Sequence, residues 1–272
     1  MSYADFETSL QNGRPIRLYQ FQRGPLKWGY SNVNRTIQFQ GITFKAVEGG
    51  IEDDGIRQTL DAQSDSLNLT TSATLDVVQM YRVVAPSQTI SLTIFDSHYG
   101  ETDYLVVWVG QIAGVKFKDS YSAQIQCRTL SSTLDRTGLR KTWSKNCPHT
   151  LYDNACKVER SAFKNVGVID SLNGVNIGFA QAASQEDGYF SGGYIEWVGQ
   201  YGLEQRGIEK HTHDQLTLFG GTFGLALNQE ISVYAGCNRT LKACNEQFNN
   251  VPNYGGNPYM PGKSPFDGTP VF

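Results

Sequence analysis

Apolar residues in the first half of the chain recur at every second position in short runs, and this pattern limits the fold more than any other feature. Thr36-Ile-Gln-Phe-Gln40, Ser66-Leu-Asn-Leu-Thr70 and Thr89-Ile-Ser-Leu-Thr-Ile94 each place their apolar side chains on one face of an extended strand. Tyr104-Leu-Val-Val-Trp-Val109 is a more continuous apolar strand, after which alternation resumes over residues 110–117. Asp119-Ser120 supplies a turn before the strand Tyr121-Ser-Ala-Gln-Ile-Gln-Cys127, and this meander closes a first β domain near residue 130. Within it, residues 72–81 space their apolar side chains like one amphipathic helix, with Ser72 or Thr74 to cap its start and Pro86 beyond its end.

A charged, poorly periodic stretch from Leu134 to Asn146 reads as a junction. A second strand-rich block follows, through Ser161-Ala-Phe163, residues 166–169, 192–197 and 207–214, and Gln215-Leu-Thr-Leu218, as a smaller barrel or sandwich. The tail from Asn249 to Gly262 is dense in Asn, Pro and Gly and reads as an ordered loop or extended arm. With 272 residues the chain exceeds what one core comfortably fills, roughly 250 residues, so two domains are expected. The expected fold is mainly β: two tube-like β-barrel or sandwich domains with a short helix, a cysteine-ligated region and an extended C-terminal arm. The segmentation is 1–130, 131–160, 161–235 and 236–272.

The net charge is -3, with no run of Lys or Arg, which argues against sequence-specific nucleic-acid binding. The first residues lack a cationic start followed by an apolar stretch, and no window approaches 18 apolar residues, so neither a leader nor a membrane anchor is expected.

Five cysteines are present: Cys127, Cys147, Cys156, Cys237 and Cys244. An odd count without a leader argues against a disulfide framework. Cys147 and Cys156 are separated by eight residues, Cys237 and Cys244 by six, and 80 residues lie between the pairs. Two local pairs brought together by a folded insert are what a four-thiolate site requires. Zinc usually takes paired ligands two to four residues apart, whereas a 4Fe-4S cube has corners farther apart; spacing alone leaves both open. Four buried cysteines acting as small hydrophobes is the plain alternative. The pairs sit beside Pro, Asn and Gly rather than inside apolar alternation, which favours ligation. Cys127 ends a strand and belongs to neither pair.

Cys147-Pro-His-Thr-Leu-Tyr-Asp-Asn-Ala-Cys156 is followed at a distance by Gly236-Cys-Asn-Arg-Thr-Leu-Lys-Ala-Cys244, then Phe248-Asn-Asn, Asn253-Tyr-Gly-Gly256 and Pro258-Tyr-Met-Pro-Gly262. In order and spacing these motifs resemble the tail-tip (baseplate) hub proteins of long-tailed phages and gene transfer agents, a family that includes the iron-sulfur tail-tip protein of phage lambda. The resemblance is most specific over 143–160 and 236–262; the N-terminal half is similar only in strand content and character. It implies a structural, non-enzymatic virion protein of a siphovirus-type tail tip, assembled in the bacterial host cytoplasm. It further implies a 4Fe-4S cluster on Cys147, Cys156, Cys237 and Cys244. The implied partners are two further copies in a homo-trimer, the distal tail protein and tail tube, the central fibre protein and the tape-measure C-terminus. A host-receptor or glycan-binding tail module with a structural zinc is the alternative, with Trp108, Trp143 and Trp197 lining its groove, although such residues in strands are usually core.

Other residues invite weaker readings. His149, two positions after Cys147, could donate to a cluster sulfur or replace a thiolate, against a plain packing role. His211-Thr-His213 on one strand face would present two imidazoles, but without a third ligand nearby. Asp53 and Asp54, within Gly49–Gly55, read as a calcium loop or, more commonly, an exposed turn. No cysteine opens a helix after a strand in the manner of a cysteine peptidase.

Overall fold

The computed structural model describes residues 6–8, 13, 15–57, 66–101, 103–133, 138 and 143–261. Most of the junction between Leu134 and Asn146, and Gly262 of the tail motif, lie outside the described residues. The chain is mainly β and divides into two compact units, residues 1–137 and 138–272.

In the first unit, β1 (Pro15–Arg23) and β2 (Leu26–Ser31) form a hairpin across Gly24, which adopts φ +54. The remaining strands are β3 (Ile37–Phe39), β4 (Ile42–Ala46), β5 (Ile51–Asp53), β6 (Leu67–Ser72), β7 (Ser91–His98), β8 (Leu105–Phe117) and β9 (Ser122–Thr129). They make one sheet in the order β3-β4-β2-β1-β7-β8-β9-β6-β5, antiparallel apart from the β2–β4 pair. The two runs expected over 104–117 are one strand of 13 residues, bulged between Ile112 and Gly114. The Asp119 carboxylate accepts from the backbone N–H of Tyr121 and Ser122 and from the Ser122 hydroxyl, which fixes the turn into β9.

The sheet curls on itself. Four strands separate β1 from β5 in the pairing order, yet Arg17 on β1 donates to both oxygens of Asp53 on β5, at 2.9 and 2.7 Å. Tyr19 donates its hydroxyl to the same carboxylate at 2.8 Å, and Asp96 on β7 holds the other side of the Arg17 guanidinium. Only a strongly curved sheet brings its far edge back over β1, so the tube-like character expected of this unit is produced here by curvature and an ion-paired clasp.

The helix expected over 72–81 is much shorter. It is α1 (Asp76–Gln79), preceded by Leu75, which offers no side-chain cap. Ser72 ends β6 and bonds Thr74 at 2.8 Å, so neither hydroxyl serves the helix start. The last turn tightens to 3₁₀ bonds from Tyr81 and Arg82, and the buried Val77 and Val78 do not favour extension.

In the second unit the strands are β10 (Lys164–Val168), β11 (Ser171–Asn173), β12 (Asn176–Gly178), β13 (Tyr194–Gly199), β14 (Gly202–Thr212), β15 (Gln215–Leu218) and β16 (Glu230–Tyr234). They form an antiparallel sheet ordered β10-β16-β13-β14-β15-β12-β11. One face buries Ile169, Ile177, Phe179, Phe190, Ile195, Trp197, Ile208, Leu216, Leu218, Ile231 and Val233. Ser161–Phe163, expected as a strand, instead belongs to a 3₁₀ turn (Arg160–Phe163) that the Glu159 carboxylate caps through Ser161 N–H. Before the tail, α2 (Leu241–Glu246) carries Cys244; within the tail, a 3₁₀ turn spans Val251–Asn253.

Candidate functional site

Each cysteine of the two pairs is held by its own local device. Cys147 donates its backbone N–H to the Arg239 carbonyl at 2.8 Å, joining the first cysteine loop to the second. The loop to Cys156 is wound around Asp153, whose carboxylate accepts from the N–H groups of Thr150 (3.0 Å), Ala155 (2.9 Å) and Cys156 (2.6 Å). The Cys156 bond leads in holding that carboxyl below its ordinary range, against burial. Tyr152 and Lys157 flank this turn at φ 69 and 60, conformations non-glycine residues adopt only when neighbours enforce them.

Two residues, Ala235 and Gly236, separate Cys237 from the end of β16. The approach is close enough to demand glycine: a Cβ on Gly236 would overlap the Ser191 carbonyl, and one on Gly193 would overlap that of Tyr234. Arg239, at φ 63, turns its N–H back to Cys237 Sγ at 3.3 Å. Cys244 lies in α2, whose start is capped by the Thr240 hydroxyl accepting from Ala243 N–H at 3.2 Å.

All four thiols line one cavity of about 150 Å³, together with His149 and Tyr152. Cys156 and Cys244 are buried, while Cys147 and Cys237 are half-buried. A single water needs roughly 10–15 Å³ of such space, so the cavity admits a group of several heavy atoms. Among the described residues, no three His, Cys, Asp or Glu side chains converge so as to hold a single metal ion. The thiols border a shared space rather than meeting at a point.

Three of the four sulfurs accept N–H groups: Cys237 from Arg239, Cys147 from Gly255 at 3.4 Å, and Cys156 from the Asn250 amide at 3.8 Å. Cys244 donates instead, to the Asn250 carbonyl at 3.3 Å. Burial pushes the Cys237 and Cys244 thiols up, and the neighbouring sulfurs add to it; at Cys237 the Arg239 N–H works the other way. Four thiolates in this space would repel one another, so the deprotonated set calls for a cationic group among them. The residues present fit a cluster with one thiolate at each corner.

The C-terminal segment locks the two loops together. Tyr254 donates its hydroxyl to the Lys145 carbonyl (2.5 Å) and toward that of Arg239 (3.3 Å), and Asn257 N–H binds the Ser144 carbonyl at 2.8 Å. Gly256 lies so close to Lys145 that a Cβ would come within 2.6 Å of its carbonyl, and one on Gly255 would strike the His149 ring. His149 thus lines the cavity and packs against Gly255.

Other sequence candidates fall elsewhere. His211 is buried, edge-on to Phe190, with Nε2 2.8 Å from the His213 carbonyl, whereas His213 lies beyond β14 in a turn at φ 52. The strand ends at Thr212, so the two imidazoles do not share a strand face. Asp53 is committed to Arg17 and Tyr19, and Asp54 to Asn68 through its N–H and amide, which leaves neither carboxylate for calcium. Trp108 and Trp197 are core residues and Trp143 is exposed, so they form no aromatic groove within either unit. Cys127 is buried in the first unit, where burial pushes its thiol up to about 12. The sequence reading missed Asn250 and the Gly255 N–H as sulfur partners; the Phe248-Asn-Asn and Tyr-Gly-Gly motifs were the available signal.

Comparison with known proteins bears on both cysteine pairs. Residues 188–264, with Cys237 and Cys244, match a family model described as phage conserved hypothetical protein BR0599. An uncharacterized protein of Xylella fastidiosa (strain 9a5c) is 26% identical over 187 residues, 63% of this chain and 38% of that protein. The chain therefore spans about two fifths of that relative's length. A chain in the virion of a native gene transfer agent particle is 16% identical and superposes over 99% of this chain and 96% of its own length with a TM-score of 0.78, which establishes a common fold. Residues 18–159, which include Cys147 and Cys156, match the model of the baseplate hub protein, N-terminal attachment domain; with 142 of its 272 residues matched, the chain belongs to the baseplate hub protein family.

Proposed function

We propose that this chain is a structural hub subunit of a long-tailed phage tail tip, carrying a 4Fe-4S cluster on Cys147, Cys156, Cys237 and Cys244 and joining the distal tail protein and tube to the central fibre as a homo-trimer. The observation that carries the cluster is that both cysteine pairs, distant in sequence, line the same cavity. When bound, the cluster supplies four metal-thiolate links between the segment before β10 and the segment after β16. The chain's own residues do the rest: Asp153 and Arg239 aim the second and third thiols, Gly255 and Asn250 donate to sulfur, and Tyr254 fastens the tail across both loops. A cross-link of this kind suits a protein that folds in reducing cytoplasm, where disulfides do not persist. The role proposed is structural rather than enzymatic, and the nearby Asp153 carboxylate serves loop geometry by accepting backbone N–H groups.

Iron, acid-labile sulfide and zinc are to be measured on anaerobically purified wild type and Cys147→Ser, with light scattering for the assembly state. The expected result is about four irons and four sulfides per chain, diminished in the variant. Stoichiometric zinc without sulfide would replace the cofactor, and absence of both metals would remove it.

A further inference from the structure

Resting on the cluster reading above, we propose that Asn250 is the positioning residue of the site, a single amide that joins the two buried ligand segments and sets how readily the bound group takes up an electron. Asn250 is only 9% exposed although it lies in a tail of turn formers. Its Nδ2 donates to the Cys156 carbonyl at 2.5 Å and stands 3.8 Å from Cys156 Sγ. Its Oδ1 accepts from Asn253 Nδ2 at 2.6 Å, which fixes the end of the amide that faces the sulfur. Its backbone N–H binds the Cys244 carbonyl at 2.9 Å, and its own carbonyl meets Cys244 Sγ at 3.3 Å. One residue therefore touches both main chain and sulfur of one cysteine from each pair.

N–H donors to ligating sulfurs stabilise the more negative, reduced state and so raise the reduction potential. The other two donors, from Arg239 and Gly255, are main-chain N–H groups, which belong to the backbone rather than to a side chain that can be exchanged alone. Asn250 contributes a side-chain donor, and Asn253 orients it. Its role is thus separable from that of the ligands.

The test uses the full chain, purified anaerobically, as wild type, Asn250→Asp and Asn253→Ala. Asn250→Asp is nearly isosteric but turns a carboxylate oxygen toward Cys156; Asn253→Ala leaves Asn250 in place and frees its amide. Iron and sulfide content, the electron paramagnetic resonance of the reduced protein and the midpoint potential are the readouts. The expected result is a more negative potential in both variants, with the larger shift in Asn250→Asp. Loss of the cluster from Asn250→Asp still supports the inference when Asn253→Ala stays loaded and shifts negative, and overturns it when Asn253→Ala matches wild type. A loaded Asn250→Asp at the wild-type potential also overturns this inference alone. A wild type without iron and sulfide overturns the cluster reading, and this one with it.

Discussion

Replacing Asp53 by Asn tests whether the curled sheet of the first unit depends on its ion-paired clasp. The Asp53 side chain is 7% exposed and that of Arg17 27%, so water screens the pair weakly. The carboxylate accepts two bonds from Arg17, one from Tyr19 and one from Gly55 N–H. Breaking a buried pair by removing one charge costs about 3–5 kcal/mol. Here Arg17 keeps Asp96 and the amide keeps one acceptor, so about 2–3 kcal/mol is the expected loss. At roughly 3 °C per kcal/mol for a unit of this size, its melting transition should fall by about 6–9 °C. The sign with pH follows from the carboxyl's position: burial raises it, but the Arg17 and Tyr19 hydrogen bonds outweigh burial and hold it below its ordinary range. A depressed native value contributes stability present above the unfolded value near pH 4 and lost as the pH falls through the native one. The gap between wild type and variant, followed by circular dichroism melts from neutral pH downward, should therefore close in acid. A variant melting within about 1 °C of wild type at neutral pH, or a gap unchanged at about pH 2, would refute the clasp.

At the cysteine site, Gly255→Ala should lower iron content, because its Cβ would displace His149 and with it the N–H that reaches Cys147; unchanged iron in a folded variant would contradict this. Tyr254→Phe should cost about 1 kcal/mol and speed hydrogen exchange in residues 144–147, measured by mass spectrometry, since its hydroxyl holds the Lys145 carbonyl. Cys127 should resist alkylation at about pH 8 in the native protein and react on unfolding, since burial keeps the thiol protonated to about 12; Cys127→Ser should leave iron content unchanged.

The sequence revealed strands wherever one face is buried and the other is wet, as at β6 and β9, whose burial alternates, and at β7 up to the irregularity between Ile94 and Phe95. It did not reveal the hairpin of β1 and β2 or strand β16: β1 also pairs with the distant β7, and β16, which pairs with the distant β10 and β13, carries only Ile231 and Val233 in a clear alternation. The helix over 72–81 failed because its polar starters bonded each other rather than the backbone of a helix. The cysteines stood out by residue type and spacing, and the fold brings all four to one cavity. Their sulfur partners were less legible. Arg239 and Gly255 act through main-chain N–H groups, which every sequence offers equally, and Asn250 acts across a long loop whose closure no local pattern encodes.

The place of β16 in its sheet also has a consequence for the order of synthesis. It runs between β10 and β13, so the sheet has a gap until residue 234 has left the ribosome, and Cys237 follows directly. The first two thiols wait about 4–16 s for the third at ordinary translation speed. Until then they are an exposed pair on an unfinished scaffold. Completion of the four-thiol cavity thus reports that the second unit has closed.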